Sequence, residues 1–295
     1  YKRSPDKTAK YYKNKIAIIY AQGQIMTGDG SSGIMSNPMS QAIRNARSDS
    51  SIKAIIFRVN SPGGDAQASE IIARELELAK QSKPVVVSMG NLAASGGYWI
   101  SAPGDIIFSN NTTITGSIGV FGQIPNIQKG LKDIAGITVD VAKTNEHADM
   151  MSIYKPLAPA ERDYIQKMVE NIYDKFLTKV STFRDMSKDS VDNIGQGRVW
   201  SGVNAYNIGL IDRFGGLTDA IEHAALLAGL QEYRIVELPK EQSTFDALMN
   251  SLSTKIKGKL GKSDIERTFE RYEYMLKAIN GSTIQARLPY DVEMY

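Results

Sequence analysis

Short runs of β-branched and apolar residues recur along the amino-terminal part of this chain, and each is followed by a stretch whose apolar residues fall at helical spacing. The runs are IAIIYAQGQI, IKAIIFRVN and PVVVSMG, and between them lie MSQAIRNARSD and DAQASEIIARELELAKQ. Runs of this kind, bounded by glycine or polar residues, read as strands buried on both faces, the environment of a parallel sheet. Parallel neighbours need crossover connections, and the helical stretches supply them. The alternation continues through DIIFS, SIGVFG, the helical NIQKGLKDIAG and the β-branched ITVDVA, which predicts a further strand. After Pro159 the texture changes: Tyr164, Met168, Ile172 and Phe176 recur every four residues, predicting one long helix packed by that stripe. GLIDRFGGLTDAIEHAALLAGL adds a short strand, a glycine turn and a helix, and IERTFERYEYMLKAIN predicts an amphipathic arm or docking helix. No internal repeat or low-complexity linker divides the chain. The simplest organisation is a lead segment over residues 1–14, one α/β domain over 15–240 and a helical extension over 241–295.

Composition removes several chemistries. The 295 residues include no cysteine, so thiolate nucleophiles, thiolate metal sites and disulfides are excluded, and no cofactor or metal motif is found. A net charge of +3 gives no reason to expect nucleic acid as a partner. Lys255, Lys257, Lys259 and Lys262 cluster in TKIKGKLGKS, which reads as a solvated face, with contact to an anionic surface as the alternative. No apolar run is long enough to span a bilayer, and nothing at the start resembles a signal peptide. The chain begins at Tyr1 rather than Met, so it is expected to be processed or cut from something longer.

Chemistry must then rest on oxygen and nitrogen groups, and two glycine-rich bends draw attention. In GNLAASGGYW, Ser95 follows an apolar strand, with Ala93 and Ala94 before it and Gly96 and Gly97 after it. Small neighbours allow a sharp strand-to-helix bend that would expose the hydroxyl beside free helix N–H groups; the same stretch also reads as a turn or an N-cap. In FRVNSPGGD a second strand ends in a Pro-Gly-Gly turn. If both bends lie at the carboxyl edge of one parallel sheet, the N–H groups of Gly64 and Gly96 can form an oxyanion hole, commonly worth about 3 kcal/mol per donor.

The blocks NSPGG, MGNLAASGGYWISAPGD, TITGSIGV and GRVWSGVNAYNIGLIDRFGG, in this order, resemble the signal peptide peptidase A (protease IV) family of membrane-anchored serine endopeptidases. The resemblance spans approximately Lys15 to Leu230 and implies a ClpP/crotonase-like α/β fold, a mostly parallel sheet flanked by helices with helical extensions. It implies a Ser/Lys dyad in which Ser95 is the nucleophile, Gly64 and Gly96 line the oxyanion hole, and Ser117 of TGSIG orients the lysine amine. Such a lysine must titrate well below its ordinary value, so it needs a dry pocket, which Ile114, Ile118 and Val120 suit. The family further implies remnant signal peptides as substrates, no cofactor, a homo-tetramer, and a place at the periplasmic face of the inner membrane. Tyr272, Tyr274 and Met275 are candidate interface anchors, and an exposed strand such as GSIGVFG is expected to pair with a peptide backbone.

The pattern breaks at the base. The K-S-G-x-x-K-D pattern of short members matches Lys143 and Asp149, but its catalytic position falls on Ala148. Long members are tandem copies whose amino-terminal half supplies the lysine, so this chain resembles the carboxy-terminal, serine-bearing half, with the base expected from the other half or a neighbouring subunit. Lys143 and Lys155 are the alternatives within the chain. His147 and His223, its two histidines, read as surface or core-edge residues. Other function classes are a crotonase-like acyl-CoA enzyme, which needs a carboxylate beside the hole, and a non-catalytic assembly half.

Overall fold

A computed structural model describes residues 12–30, 32–238 and the strand 284–287. The three apolar runs form the spine of an eight-stranded sheet: β1 (Lys15–Gln22), β4 (Ile52–Ser61) and β6 (Val85–Ala94), paired in parallel in the order β6-β4-β1. β12 (Arg234–Leu238) lies parallel beyond β1. Two short strands share the far edge of β6: β7 (Ile106–Ser109) pairs with its amino-terminal part and β8 (Ile114–Gly116) with its carboxyl end. β11 (Arg213–Phe214) runs parallel to β7, and β10 (Val199–Ser201) against β8 is the one antiparallel pairing among the described strands of this sheet. The chain therefore forms the mostly parallel α/β sheet, flanked by helices, that its periodicities predict.

Alternation along the strands divides the core into two layers. Ala17, Ile19, Ile55, Phe57, Val85 and Val87 face one side. There they meet α1 (Ser36–Ser48), α2 (Ala66–Lys80), the short α3 (Gly96–Ser101) and the long α5 (Pro159–Arg184) through residues such as Ile43, Leu76, Trp99 and Phe176. Ile16, Ile18, Ala54, Ile56 and Val86 face the other side and are covered by α8 (Leu217–Leu227) through Ala220, Ile221 and Ala224. Each fully buried isoleucine or phenylalanine contributes about 2 kcal/mol, so the two-faced burial that the unbroken apolar runs require is also what holds the sheet together. A second, smaller sheet runs β3 (Ile34–Met35), β2 (Ile25–Met26), β5 (Gly63–Asp65), β13 (Ile284–Arg287), β9 (Phe121–Gly122).

Three segments differ from the sequence expectation. In α5 the four-residue stripe does not stay on one face: Phe176 is buried, but Tyr164 is 53% exposed and Ile165 takes the buried position. Four-residue steps overrun a 3.6-residue turn, so Tyr164 and Phe176 sit about 120° apart around the axis. ITVDVA forms no strand; residues 136–143 are irregular, and Ile137, Val139 and Val141 are exposed. β-propensity expresses packing against a pleated neighbour, and among the described residues no strand flanks this one. Within GSIGVFG strand is confined to Gly116, the last residue of β8, and to Phe121 and Gly122, which form β9. The lysine cluster and the predicted arm helix with Tyr272, Tyr274 and Met275 lie outside the described residues. Residues 284–287, inside the stretch read as a helical extension, are strand.

Candidate active site

The site grows from two adjacent strand ends. β4 and β6 are parallel neighbours, so both leave the sheet at the same edge, and their pairing persists to Ser61 opposite Ala93 through an irregularity after Val59. That irregularity re-aims the strand tips. The Asn60 side chain fills it, its Oδ1 accepting from the Leu92 amide at 3.1 Å. Gly97 packs so tightly on β4 that a Cβ there would stand 2.7 Å from the Ser61 carbonyl oxygen. The Pro-Gly-Gly turn and the Ser-Gly-Gly bend are thus in contact, the arrangement on which the oxyanion-hole expectation depends. Gly64 is fixed by the same kind of crowding: it pairs with Ile25, and a Cβ would lie 2.0 Å from the Ile25 carbonyl oxygen. Only glycine fits there. The next residue, Asp65, caps α2 by accepting from the Ala68 amide at 2.6 Å, which anchors the turn to a helix.

Ser95 sits between β6 and α3 with φ 54° and ψ −118°. These are the angles of the first central residue of a type II′ turn, a place for glycine, and a side chain there stores about 1–3 kcal/mol of strain. The surroundings enforce it from both sides. The Ser95 amide donates to the Gly116 carbonyl at 2.8 Å, tying the bend to β8, and its carbonyl accepts from the Trp99 amide at 2.9 Å. α3 is itself pinned: Trp99 stacks on Phe176 with ring centroids 4.4 Å apart and donates through Nε1 to Glu70 at 2.9 Å, while the Tyr98 hydroxyl donates to the Leu210 carbonyl at 2.8 Å. A strained serine between a strand end and a helix start, held by buried neighbours, has the geometry of a nucleophile elbow. Gly96 opens α3, so its N–H has no acceptor within the helix. The Ser95 hydroxyl is buried and donates weakly to the Gly119 carbonyl at 3.4 Å.

Ser117 follows Gly116, the partner of Ala94 in β8, so the two serines stand just beyond one pair of neighbouring strands. Ser117 also has a positive φ, 47°, and its Oγ donates to the Gly197 carbonyl at 3.4 Å. Ile118 beside it is fully buried, and Ile114 and Val120 are partly buried. Gly64, Ser95, Gly96 and Ser117 therefore share one edge of the molecule, against a dry wall.

The groups able to take a proton are elsewhere engaged. Among the described residues, no amine or imidazole is hydrogen-bonded to the hydroxyl of Ser95 or Ser117. Lys155 donates to Asp149 and to Glu161, both at 2.9 Å, and these hydrogen bonds raise its pKa above the ordinary lysine value. A general base must be neutral, and this environment holds the amine charged. Lys143 donates to the same Asp149 at 3.2 Å and to the Glu146 carbonyl. Ala148 lies in that loop with His147, whose Nδ1 is 3.8 Å from Glu161, beyond hydrogen-bonding reach. His223 is on α8, on the opposite face of the sheet, edge-on to Phe108; burial, then the charge of Arg213, lowers its pKa. It lines an open cavity of about 800 Å³ with Tyr206, Asp212 and Phe214, which does not include Ser95.

One element of the site was missed by sequence reasoning. β13 runs antiparallel to β5, Ala286 opposite Gly64 and Arg287 opposite Gly63, and antiparallel to β9, Ile284 opposite Gly122. The signal is present in STIQARL, where apolar Ile284 and Ala286 alternate with polar residues.

The family model described as Peptidase family S49 matches residues 77–231. Protease 4 of Salmonella typhi is 41% identical over 247 residues, covering 83% of this chain and 40% of that protein. The chloroplastic serine protease SPPA of Arabidopsis thaliana is 32% identical over 285 residues, covering 94% of this chain and 41% of its own. The chain thus spans about two fifths of the length of these relatives. A ClpP1 mutant from Listeria monocytogenes is similar over 69% of this chain and 94% of its own, with a TM-score of 0.45 and 14% identity. The α/β assignment rests on the strand pairing itself.

Proposed function

This chain belongs to peptidase family S49, and from that premise we propose that it is the nucleophile-bearing part of a serine endopeptidase of the signal peptide peptidase A type. The observation that carries the reading is Ser95, held in a glycine-like backbone conformation at a strand–helix bend beside the Gly64 turn. Strain of that size persists only where the surroundings over-determine it, and such positions cluster at reactive sites. In the proposed reaction Ser95 Oγ bonds to the scissile carbonyl carbon while its proton passes to a neutral lysine amine. The N–H groups of Gly64 and Gly96 receive the negative charge that develops on the carbonyl oxygen. The C–N bond then breaks, the lysine returns the proton to the leaving amine, and water releases the acyl group from Ser95.

The lysine comes from outside the described residues, from an amino-terminal half or a neighbouring subunit that carries it, because Lys155 is kept charged by carboxylates and Ala148 has no amine. Ser117 is the group to orient the incoming amine. The substrates we propose are extended apolar peptides such as remnant signal peptides. The assembly is a homo-tetramer at the periplasmic face of a membrane, although no described helix is long and apolar enough to cross one.

The test is peptide hydrolysis by the native assembly and by this chain alone. The assembly is expected to lose turnover at least a thousandfold on Ser95→Ala, and the chain alone to be inactive. Strong Ser95-dependent hydrolysis by the pure chain would overturn the external-base reading, and turnover unaffected by Ser95→Ala would overturn the catalytic one.

A further inference from the structure

The face of the sheet that α8 covers carries a cavity that the proposed reaction does not use. It is open and about 800 Å³ in volume, within the range of about 300–1,000 Å³ in which small molecules are bound. One wall is α8 itself, where Asp219, Glu222, His223 and Leu226 are spaced three or four residues apart and so share one helical face. The other wall is the pair Tyr206 and Phe214, their ring centroids 4.9 Å apart, with Tyr206 on α7 (Gly202–Asn207), Phe214 on β11 and Arg213 beside it. Both rings are nearly half-exposed, at 47% and 43%, and Leu226 is 72% exposed, so the apolar part of the lining is open to a ligand rather than packed into the core.

The charged groups of the cavity differ in how far they are satisfied. Asp212 is committed to structure: its carboxylate accepts from the Ile107 amide at 2.8 Å and from both terminal nitrogens of Arg184, at 2.6 and 3.0 Å. Asp219 gives one oxygen to the Gly216 amide at 2.7 Å, closing the start of α8. Glu222 and Arg213 make no side-chain hydrogen bond or ion pair among the described residues, with each other or with any other group. Burial, then the charge of Arg213, lowers the pKa of His223, so its imidazole is neutral at pH 7. Unpaired charges of both signs beside an apolar wall match a ligand that carries both.

We propose that this cavity binds a zwitterion with an apolar side chain, either a short peptide with free termini or an apolar amino acid. Glu222 receives the ammonium group, and Arg213 receives the carboxylate through its planar fork of donors. Asp219, one turn of α8 from Glu222, adds a second negative charge on the ammonium side. The ligand's side chain lies on Tyr206, Phe214 and Leu226, and neutral His223 offers a ring nitrogen without repelling the ammonium. A ligand of one sign would satisfy one of the two free groups and meet the like charge of the other, so the arrangement selects against it. The site is separate from Ser95 and does not depend on the peptidase reading. A peptidase releases such peptides, and a pool of free amino acids supplies the same chemistry.

Calorimetric titration of the whole chain with leucyl-phenylalanine tests the proposal, with N-acetyl-leucyl-phenylalanine, leucyl-phenylalaninamide and leucine as the other probes. The dipeptide is expected to bind saturably with a dissociation constant of about 1 mM or tighter, and blocking either terminus to weaken it about tenfold. Glu222→Gln should weaken the dipeptide by about the same factor and remove the penalty for acetylation, and Arg213→Gln should remove the penalty for amidation, the non-additivity expected of groups in contact. Both residues are exposed, so the melting temperature should stay at the parent value in each variant. Dipeptide binding tighter than leucine assigns the site to released peptides, and equal binding assigns it to free amino acids. Absence of saturable binding would overturn the proposal. So would variants that bind the dipeptide as the parent does, the result expected if it occupied the Ser95 slot instead. A Phe214→Ala variant that changes the oligomeric state and leaves dipeptide binding intact would also overturn it, by making the aromatic pair a subunit contact.

Discussion

Replacing Ser95 by glycine should stabilise the fold relative to replacing it by alanine, although glycine is usually the more costly residue. Both changes delete the hydroxyl and its 3.4 Å hydrogen bond to the Gly119 carbonyl, so that loss cancels in the comparison. They differ at the backbone, where φ is 54° and ψ −118°. Alanine keeps a Cβ there and retains strain of about 1–3 kcal/mol, whereas glycine releases it. Against this, glycine gives up about 0.5–1 kcal/mol through the freedom of the unfolded chain. The balance favours Ser95→Gly over Ser95→Ala by about 1 kcal/mol, or about 2–4 °C in melting temperature for a domain of this size. Urea denaturation of the two variants measures it directly, with equal slopes required so that the midpoints compare stability. An alanine variant as stable as the glycine variant, or more so, would refute the claim that the fold holds this residue in a strained conformation.

Gly64→Ala should be far more damaging, because its Cβ would meet the Ile25 carbonyl oxygen at 2.0 Å and backbone must move; we expect a loss of about 3 kcal/mol or more by calorimetry, with turnover of the native assembly abolished. Trp99→Phe keeps the stack on Phe176 but removes the donor to the half-exposed Glu70, and should cost about 1–2 kcal/mol in urea denaturation. Hydrogen bonds from the Ser51 hydroxyl and amide hold the Asp49 carboxylate at about 2, with Lys15 assisting. A depressed pKa stabilises the fold above the ordinary carboxylate value of about 4, and that contribution is lost as pH falls through 4 towards 2. Melting temperature measured across that window should fall less steeply in Asp49→Asn than in the parent. Lys155→Met should leave Ser95-dependent turnover of the assembly intact, since Lys155 is bound to Asp149 and Glu161; abolished turnover with an unchanged circular dichroism spectrum would make it the base after all.

What the sequence determined by itself was set by local periodicity and by small residues. IAIIYAQ, IKAIIFRVN and PVVVSM could bury both faces only as inner strands of a parallel sheet, and they form β1, β4 and β6. The glycine bends could be recognised because glycine beside a strand end marks backbone that side chains cannot follow. Other features depended on neighbours the sequence does not display. ITVDVA has strand chemistry but no described partner, and it stays irregular. The contact between the two bends comes from β4 and β6 being adjacent and parallel, which puts their tips at one edge. The positive φ of Ser95 is imposed by Gly116 on one side and by the anchored α3 on the other. The strand at 284–287 was legible as an alternation, but that it lies beside Gly64 was decided by tertiary pairing between segments more than two hundred residues apart in sequence. Periodicity records which face of an element is buried; it carries no record of which distant element does the burying.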